Sequence, residues 1–115
     1  MAITWITGNS GAGKTTLALK LQSQGNSPDE FSTILLDGDS MRKIWPELGL
    51  SKEDRWLNNI RIARLAKILE DQGFDVIVST ICPYKDLRSE VQKITNCRFI
   101  YLEGGKSGSE YPYEK

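Results

Sequence analysis

The sequence predicts a three-layer α/β fold built on one parallel sheet of about four strands. Two observations carry that prediction. Short apolar runs rich in β-branched and aromatic residues alternate with longer amphipathic stretches, the order of a sheet whose strands are joined by helices. The runs are also apolar on both faces, as strands covered by helices on either side are. With 115 residues, the chain is expected to form one domain over residues 1–115, with a single core.

Each element follows in order. Ala2–Thr7 is the first strand, and a glycine-rich turn leads from it into a helix over Lys14–Gln24. That helix carries Leu17, Ala18 and Leu21 on one face and stops at Gly25, a residue suited to a helix C-terminus. Ser32–Leu36 is the second strand. A long helix over Ser51–Gln72 opens with Ser51 and Asp54 in a capping-box-like arrangement and stops at Gly73. Asp75–Ile81, a third helix over Pro83–Ile94 and a last strand over Cys97–Leu102 complete the order. All four strands read as central ones. Turn residues cluster around Asn26–Asp29 and Gly104–Ser109, and Trp5, Trp45 and Trp56 read as core or cleft-wall residues.

Composition removes several classes of function. The 15 basic and 15 acidic residues cancel, and no window is strongly basic, so neither a nucleic-acid footprint nor a polybasic membrane anchor is expected. No run of about 18 apolar residues offers a membrane span. The N-terminus enters a strand pattern directly, without the pattern of a secretory leader. There is no histidine, and the two cysteines, Cys82 and Cys97, lack metal-ligand spacing. The expectation is a soluble, cytoplasmic protein of a reducing compartment.

Gly8-Asn9-Ser10-Gly11-Ala12-Gly13-Lys14-Thr15 matches the pattern G-x-x-x-x-G-K-S/T, and it lies between a strand and a helix. Glycines in such a loop let backbone N–H groups turn toward a phosphate, and the helix N-terminus adds a favourable dipole. Lys14 is placed to reach the β- and γ-phosphates of ATP, and the Thr15 hydroxyl to ligate Mg²⁺. Thr16 closes the motif. Asp37-Gly38-Asp39 ends the second strand, at the edge where open α/β sheets bind ligands. Alone this tripeptide reads as a turn; beside a phosphate loop, one aspartate becomes a metal ligand or a base. Along the buried face of the long helix, Leu69, Ala66, Leu65 and Ile62 give way to Asn58 and Arg55. The apolar stripe thus turns polar at its N-terminal end. Arginine there is suited to a bidentate grip on phosphate or sulfate, and Arg42 is a second candidate for the same anion. Ile81-Cys82-Pro83-Tyr84 follows the third strand, with Cys82 read as a small, partly buried turn residue rather than a reactive thiol.

In this order, from Ile6 to about Arg88, these motifs resemble the adenylylsulfate kinase family of P-loop kinases. The resemblance covers Gly8–Thr16, Leu36–Arg42 and Leu48–Ser51 leading to Asp54 and Arg55. It continues through Asn58, Arg61, Ala63, Ala66 and Lys67 to Ile81–Tyr84 and Arg88. It implies a P-loop NTPase fold and transfer of the ATP γ-phosphate to the 3′-hydroxyl of adenosine 5′-phosphosulfate, in sulfate activation. It implies further that Asp39, Arg42, Arg55, Asn58, Ile81, Cys82 and Pro83 contact the acceptor and that the protein is a homodimer. Lys14, Asp37 and Asp39 are the expected catalytic groups, with Thr15 and Asp37 toward Mg²⁺. Which aspartate serves as base stays open.

Four features depart from the family pattern. Ser40 stands where asparagine is usual, and Leu50 where an aromatic residue packs on the adenine. Cys82 replaces a serine regarded in some members as a phosphoryl acceptor. Only Glu103–Glu110 lie where the family has an arginine-rich lid, a strand and a helix, while Tyr111-Pro112-Tyr113-Glu114 resembles its C-terminal nucleotide loop. The chain therefore reads as internally shortened. Two other functions remain open from these departures: a P-loop kinase for another small hydroxyl substrate, and a nucleotide-binding module of low activity.

Overall fold

The computed structural model describes residues 2–9, 11–23, 33–105 and 113–114. The elements run β1 (Ile3–Gly8), α1 (Lys14–Ser23), β2 (Thr33–Asp37), α2 (Gly38–Arg42), α3 (Lys52–Asp71), β3 (Asp75–Ser79), α4 (Lys85–Thr95) and β4 (Arg98–Leu102). The four strands form one parallel sheet in the order β2-β3-β1-β4. Seven of these elements are those the sequence predicts; α2 is additional, and takes in the Gly38-Asp39 pair read above as part of a turn. The expected turn at Asn26–Asp29 and the stop at Gly25 lie outside the described residues.

Helices cover both faces of the sheet. On one, Ile6 and Ile77 pack with Leu35, Ile100 and Leu102 against Leu17, Ala18 and Leu21 of α1. On the other, Ile3, Trp5, Leu36, Val76 and Val78 pack against Ile62, Ala63 and Ala66 of α3 and Leu87 and Val91 of α4. The sequence reads all four strands as central, but β2 and β4 are the two edges. Apolarity on both faces reports helix cover above and below, and says nothing about a hydrogen-bonded neighbour at the side. β4 makes the difference visible, since Arg98 and Tyr101 are exposed.

Local chemistry sets the helix ends. Ser51 caps α3 by accepting from the Asp54 N–H at 3.1 Å. The reciprocal half of a capping box is absent, because the Asp54 carboxylate accepts instead from the Gly49 N–H at 2.8 Å. Gly73, with φ +101°, follows the last turn of α3, and its N–H reaches the Glu70 carbonyl at 2.9 Å. No helix among the described residues is long and apolar enough to cross a membrane.

Gly8 ends β1 where the sheet leaves no room. A Cβ there meets the Leu102 carbonyl oxygen of β4 at 2.5 Å, and its φ of +150° is one that side chains rarely adopt. Gly8→Ala is therefore expected to destabilise the fold by about 1–3 kcal/mol. Urea unfolding of the two proteins measures this, and an unchanged midpoint overturns it.

Candidate active site

The ends of three strands meet at one cleft because of the register. Ile6 pairs with Ser79, and Asp37 pairs with the same Ser79 from the other side. β1 then leads to α1 on one face and β3 to α4 on the other, so the chain parts between them and leaves a crevice. Its volume is about 370 Å³. Gly11, Gly13, Lys14, Thr15 and Thr16 line it from the phosphate loop, Asp37, Asp39 and Arg42 from β2 and α2, Arg55 and Asn58 from α3, and Ile81, Cys82 and Pro83 from the turn after β3.

Most of the sequence-predicted site residues are thus brought together. Gly8, Asn9 and Ala12 are not among the lining residues, and Ser10 lies outside the described ones. Gly8 serves the β1–β4 approach, while the Asn9 carbonyl accepts from the Ala12 N–H at 3.2 Å and the Lys14 ammonium at 2.8 Å. Gly11 and Gly13 hold φ of +81° and +94°, conformations that let the loop turn its N–H groups outward. Burial lowers the pKa of the Lys14 ammonium, and the carboxylates of Asp39 and Asp37 act against that shift.

The two aspartates differ in their surroundings. Asp37 caps α2, one of its oxygens accepting from the Ser40 N–H and hydroxyl at 3.2 Å each. The Asp39 side chain is 90% exposed and faces Arg42 at 3.6 Å. At the start of α3, Arg55 is 9% exposed and its Nε–H donates to the Leu50 carbonyl at 2.8 Å. Asn58 accepts from the Trp45 indole at 2.7 Å. Its amide hydrogens, without a partner among the described residues, remain as donors beside the cleft.

The turn after β3 is rigidly held. Cys82 adopts φ of +43°, a costly conformation for a side-chain-bearing residue. Arg88 donates to the Cys82 carbonyl at 2.9 Å, the Thr7 hydroxyl to Ile81 at 2.5 Å, and the Glu114 N–H to Pro83 at 2.8 Å. Tyr113 joins Thr7 at 3.0 Å, and Arg88 also binds the Glu114 carbonyl. Cys82 is 1% exposed rather than partly buried, because the turn folds its side chain back into the core.

Sequence reading missed Gly38, Asn59, Ser79 and Thr80, all of which line the cleft. Asn59 lies three residues before Ile62 on the same stripe, and the polar pair Ser79-Thr80 directly after the apolar run Val76–Val78 was a second available signal. Gly38 sits close against Thr80, and a Cβ there would meet the threonine methyl at 3.0 Å, so that side chain would have to give way.

Burial pushes the Cys82 thiol up to about 12, and raises the Cys97 thiol as well. Neither is expected to react with a disulfide reagent at neutral pH in the folded protein, and both are expected to react in denaturant. Rapid labelling of the native protein at Cys82 contradicts this.

Comparison with known proteins agrees with the geometry. The chain is 44% identical over 96 residues to a probable adenylyl-sulfate kinase of Archaeoglobus fulgidus, covering 79% of this chain and 59% of that protein. It is 46% identical over 90 residues to the probable adenylyl-sulfate kinase of Pyrococcus abyssi, covering 77% and 51%. The chain thus spans between half and three-fifths of the length of these curated relatives. The Mycobacterium tuberculosis APS kinase solved in complex with AMPPNP and APS superposes with a TM-score of 0.73 at 32% identity, covering 87% of this chain and 60% of that one. A sequence model of the adenylylsulphate kinase family matches residues 1–103, and the chain belongs to that family.

Proposed function

We propose that this protein transfers the γ-phosphate of ATP to the 3′-hydroxyl of adenosine 5′-phosphosulfate. The observation that carries the proposal is the joining, in one cleft, of a phosphate loop with a second set of anion-binding and hydrogen-bonding side chains. A nucleotide-binding module needs only the first set. A kinase needs both, because phosphoryl transfer is driven by positioning and charge neutralisation. The complex of the Mycobacterium tuberculosis relative with AMPPNP and APS supports the same pair of ligands.

In this reading Lys14 and the loop amides hold the β- and γ-phosphates. The Thr15 hydroxyl and the Asp37 carboxylate are hard oxygen donors on the same cleft, a set that fits Mg²⁺ completed by phosphate oxygens and water. Mg²⁺ when bound supplies charge neutralisation on the phosphates. Asp37 is assigned to that side, since Ser40 already orients its carboxylate. Asp39, the more exposed carboxylate, is assigned to orient the acceptor hydroxyl and take its proton. Arg42 and Arg55 bind the phosphosulfate, and the amide hydrogens of Asn58 add a directional contact. The homodimer implied by the family resemblance belongs to this proposal too, and sedimentation equilibrium tests it.

The direct test is a coupled assay with ATP, Mg²⁺ and adenylylsulfate, run beside adenosine, nucleoside monophosphates and small sugars. Turnover with adenylylsulfate well above every other acceptor is expected; transfer to a different acceptor, or to none, contradicts the proposal. Lys14→Ala is expected to lower kcat by on the order of 10²–10³ or more, with the circular dichroism spectrum unchanged. Arg55→Ala and Asn58→Ala are expected to raise KM for adenylylsulfate about tenfold or more while the KM for ATP stays within about twofold. Equal losses for the two substrates would mean that these side chains only hold the helix in place.

A further inference from the structure

The cleft floor contains a buried polar chain whose side chains have no role in the transfer just proposed. The Trp5 indole N–H donates to the Thr80 hydroxyl oxygen at 2.9 Å. That oxygen lies 2.8 Å from the Asn59 side-chain oxygen, and the Asn59 amide donates to the Arg55 carbonyl at 2.9 Å. Chemistry fixes the direction of every link. An indole N–H can only donate, so the Thr80 hydroxyl accepts there and gives its single hydrogen to Asn59. The Asn59 oxygen is thereby committed to Thr80, and its nitrogen to the helix. The four residues are at most 9% exposed, where a broken link leaves a polar atom without water to replace its partner.

The chain begins in the central strand β1 and ends on the backbone carbonyl of Arg55, one of the residues that line the cleft. Apolar packing alone sets a spacing between α3 and the sheet, but leaves the helix free to turn or slide by a fraction of a residue. A directional chain removes that freedom at one point, Asn59 in the second turn of α3. Asn59 is adjacent to Asn58 and one helical turn from Arg55, and both Asn59 and Thr80 line the cleft themselves.

We propose that Thr80 and Asn59 are positioning residues, which fix the rotation of α3 against the sheet and so aim Arg55 and Asn58 at the acceptor. The proposal rests on the assignment of those two side chains to adenylylsulfate. Its test compares Thr80→Val, which keeps the shape and removes the hydroxyl, with Thr80→Ser, which keeps the hydroxyl, and Asn59→Asp, which keeps the acceptor and removes the donor. Binding of adenylylsulfate and of a non-hydrolysable ATP analogue is measured by calorimetry on each full-length variant. Thr80→Val and Asn59→Asp are expected to weaken adenylylsulfate binding about tenfold with analogue binding within about twofold, and Thr80→Ser to restore most of the loss. Equal weakening of both ligands, or no change in either, overturns the proposal.

A second readout separates this idea from the functional assignment. If the parent protein does not bind adenylylsulfate, the assignment of the acceptor is wrong, and the Arg55 Nε–H resonance then decides the positioning claim. That N–H bonds to the Leu50 carbonyl at 2.8 Å. Its chemical shift and exchange protection are expected to change in Thr80→Val and to return in Thr80→Ser. An unperturbed resonance in Thr80→Val shows that the chain does not hold Arg55.

Discussion

The site depends on the parallel pairing of β1 with β3. Their register puts Ile6 beside Ser79, the last residue of β3, while β1 runs on to Gly8, and the chain leaves the two strands toward opposite faces. A one-residue slip would reverse every side chain of one strand between the two faces. It would turn Trp5 away from α3, and the indole would lose Thr80. The apolar side chains on the two faces of β1 and β3 therefore also determine where the phosphate loop stands relative to α3.

Around that crevice the protein manages polar groups in two ways. Residues beneath the surface are bonded to one another: Trp5 to Thr80, Thr80 to Asn59, Trp45 to Asn58, Thr7 to Ile81. No fully buried side-chain nitrogen or oxygen among the described residues lacks a partner. Groups at the mouth are held from one side and left open on the other. Asp37 is oriented by Ser40 and Arg55 by the Leu50 carbonyl, yet both line the cleft. Preorganisation of this kind lowers the reorganisation that an arriving anion must drive. The left-handed backbone of Cys82 belongs to the same scheme, since the carbonyls on both sides of it are bound by Thr7 and the Glu114 N–H, and its own by Arg88.

Much of this was legible in the sequence, for identifiable reasons. The phosphate loop carries its own signature, and the polar end of the α3 stripe follows from helical periodicity, which puts Arg55 and Asn58 on the face that buries Ile62 and Ala66. The edge positions of β2 and β4 were hidden because strand order is a property of pairing, which apolar patterning does not encode. Helix α2 was hidden because five residues are too few to show a period, and a terminal carboxylate serves a turn and a cap equally well. Thr80 and Asn59 escaped notice because each is unremarkable alone. Their role depends on a contact across 21 residues, which only the folded chain supplies.

In the proposed reaction one cleft holds two ligands on opposite walls, the nucleotide phosphates on the loop and the sulfate-bearing acceptor on α3. A crystal structure with a non-hydrolysable ATP analogue and adenylylsulfate bound together tests it most directly. The analogue's phosphates are expected against Lys14 and Thr15, and the phosphosulfate within hydrogen-bonding distance of Arg55 and Asn58. Adenylylsulfate bound outside this cleft, or both ligands competing for the phosphate loop, would contradict it.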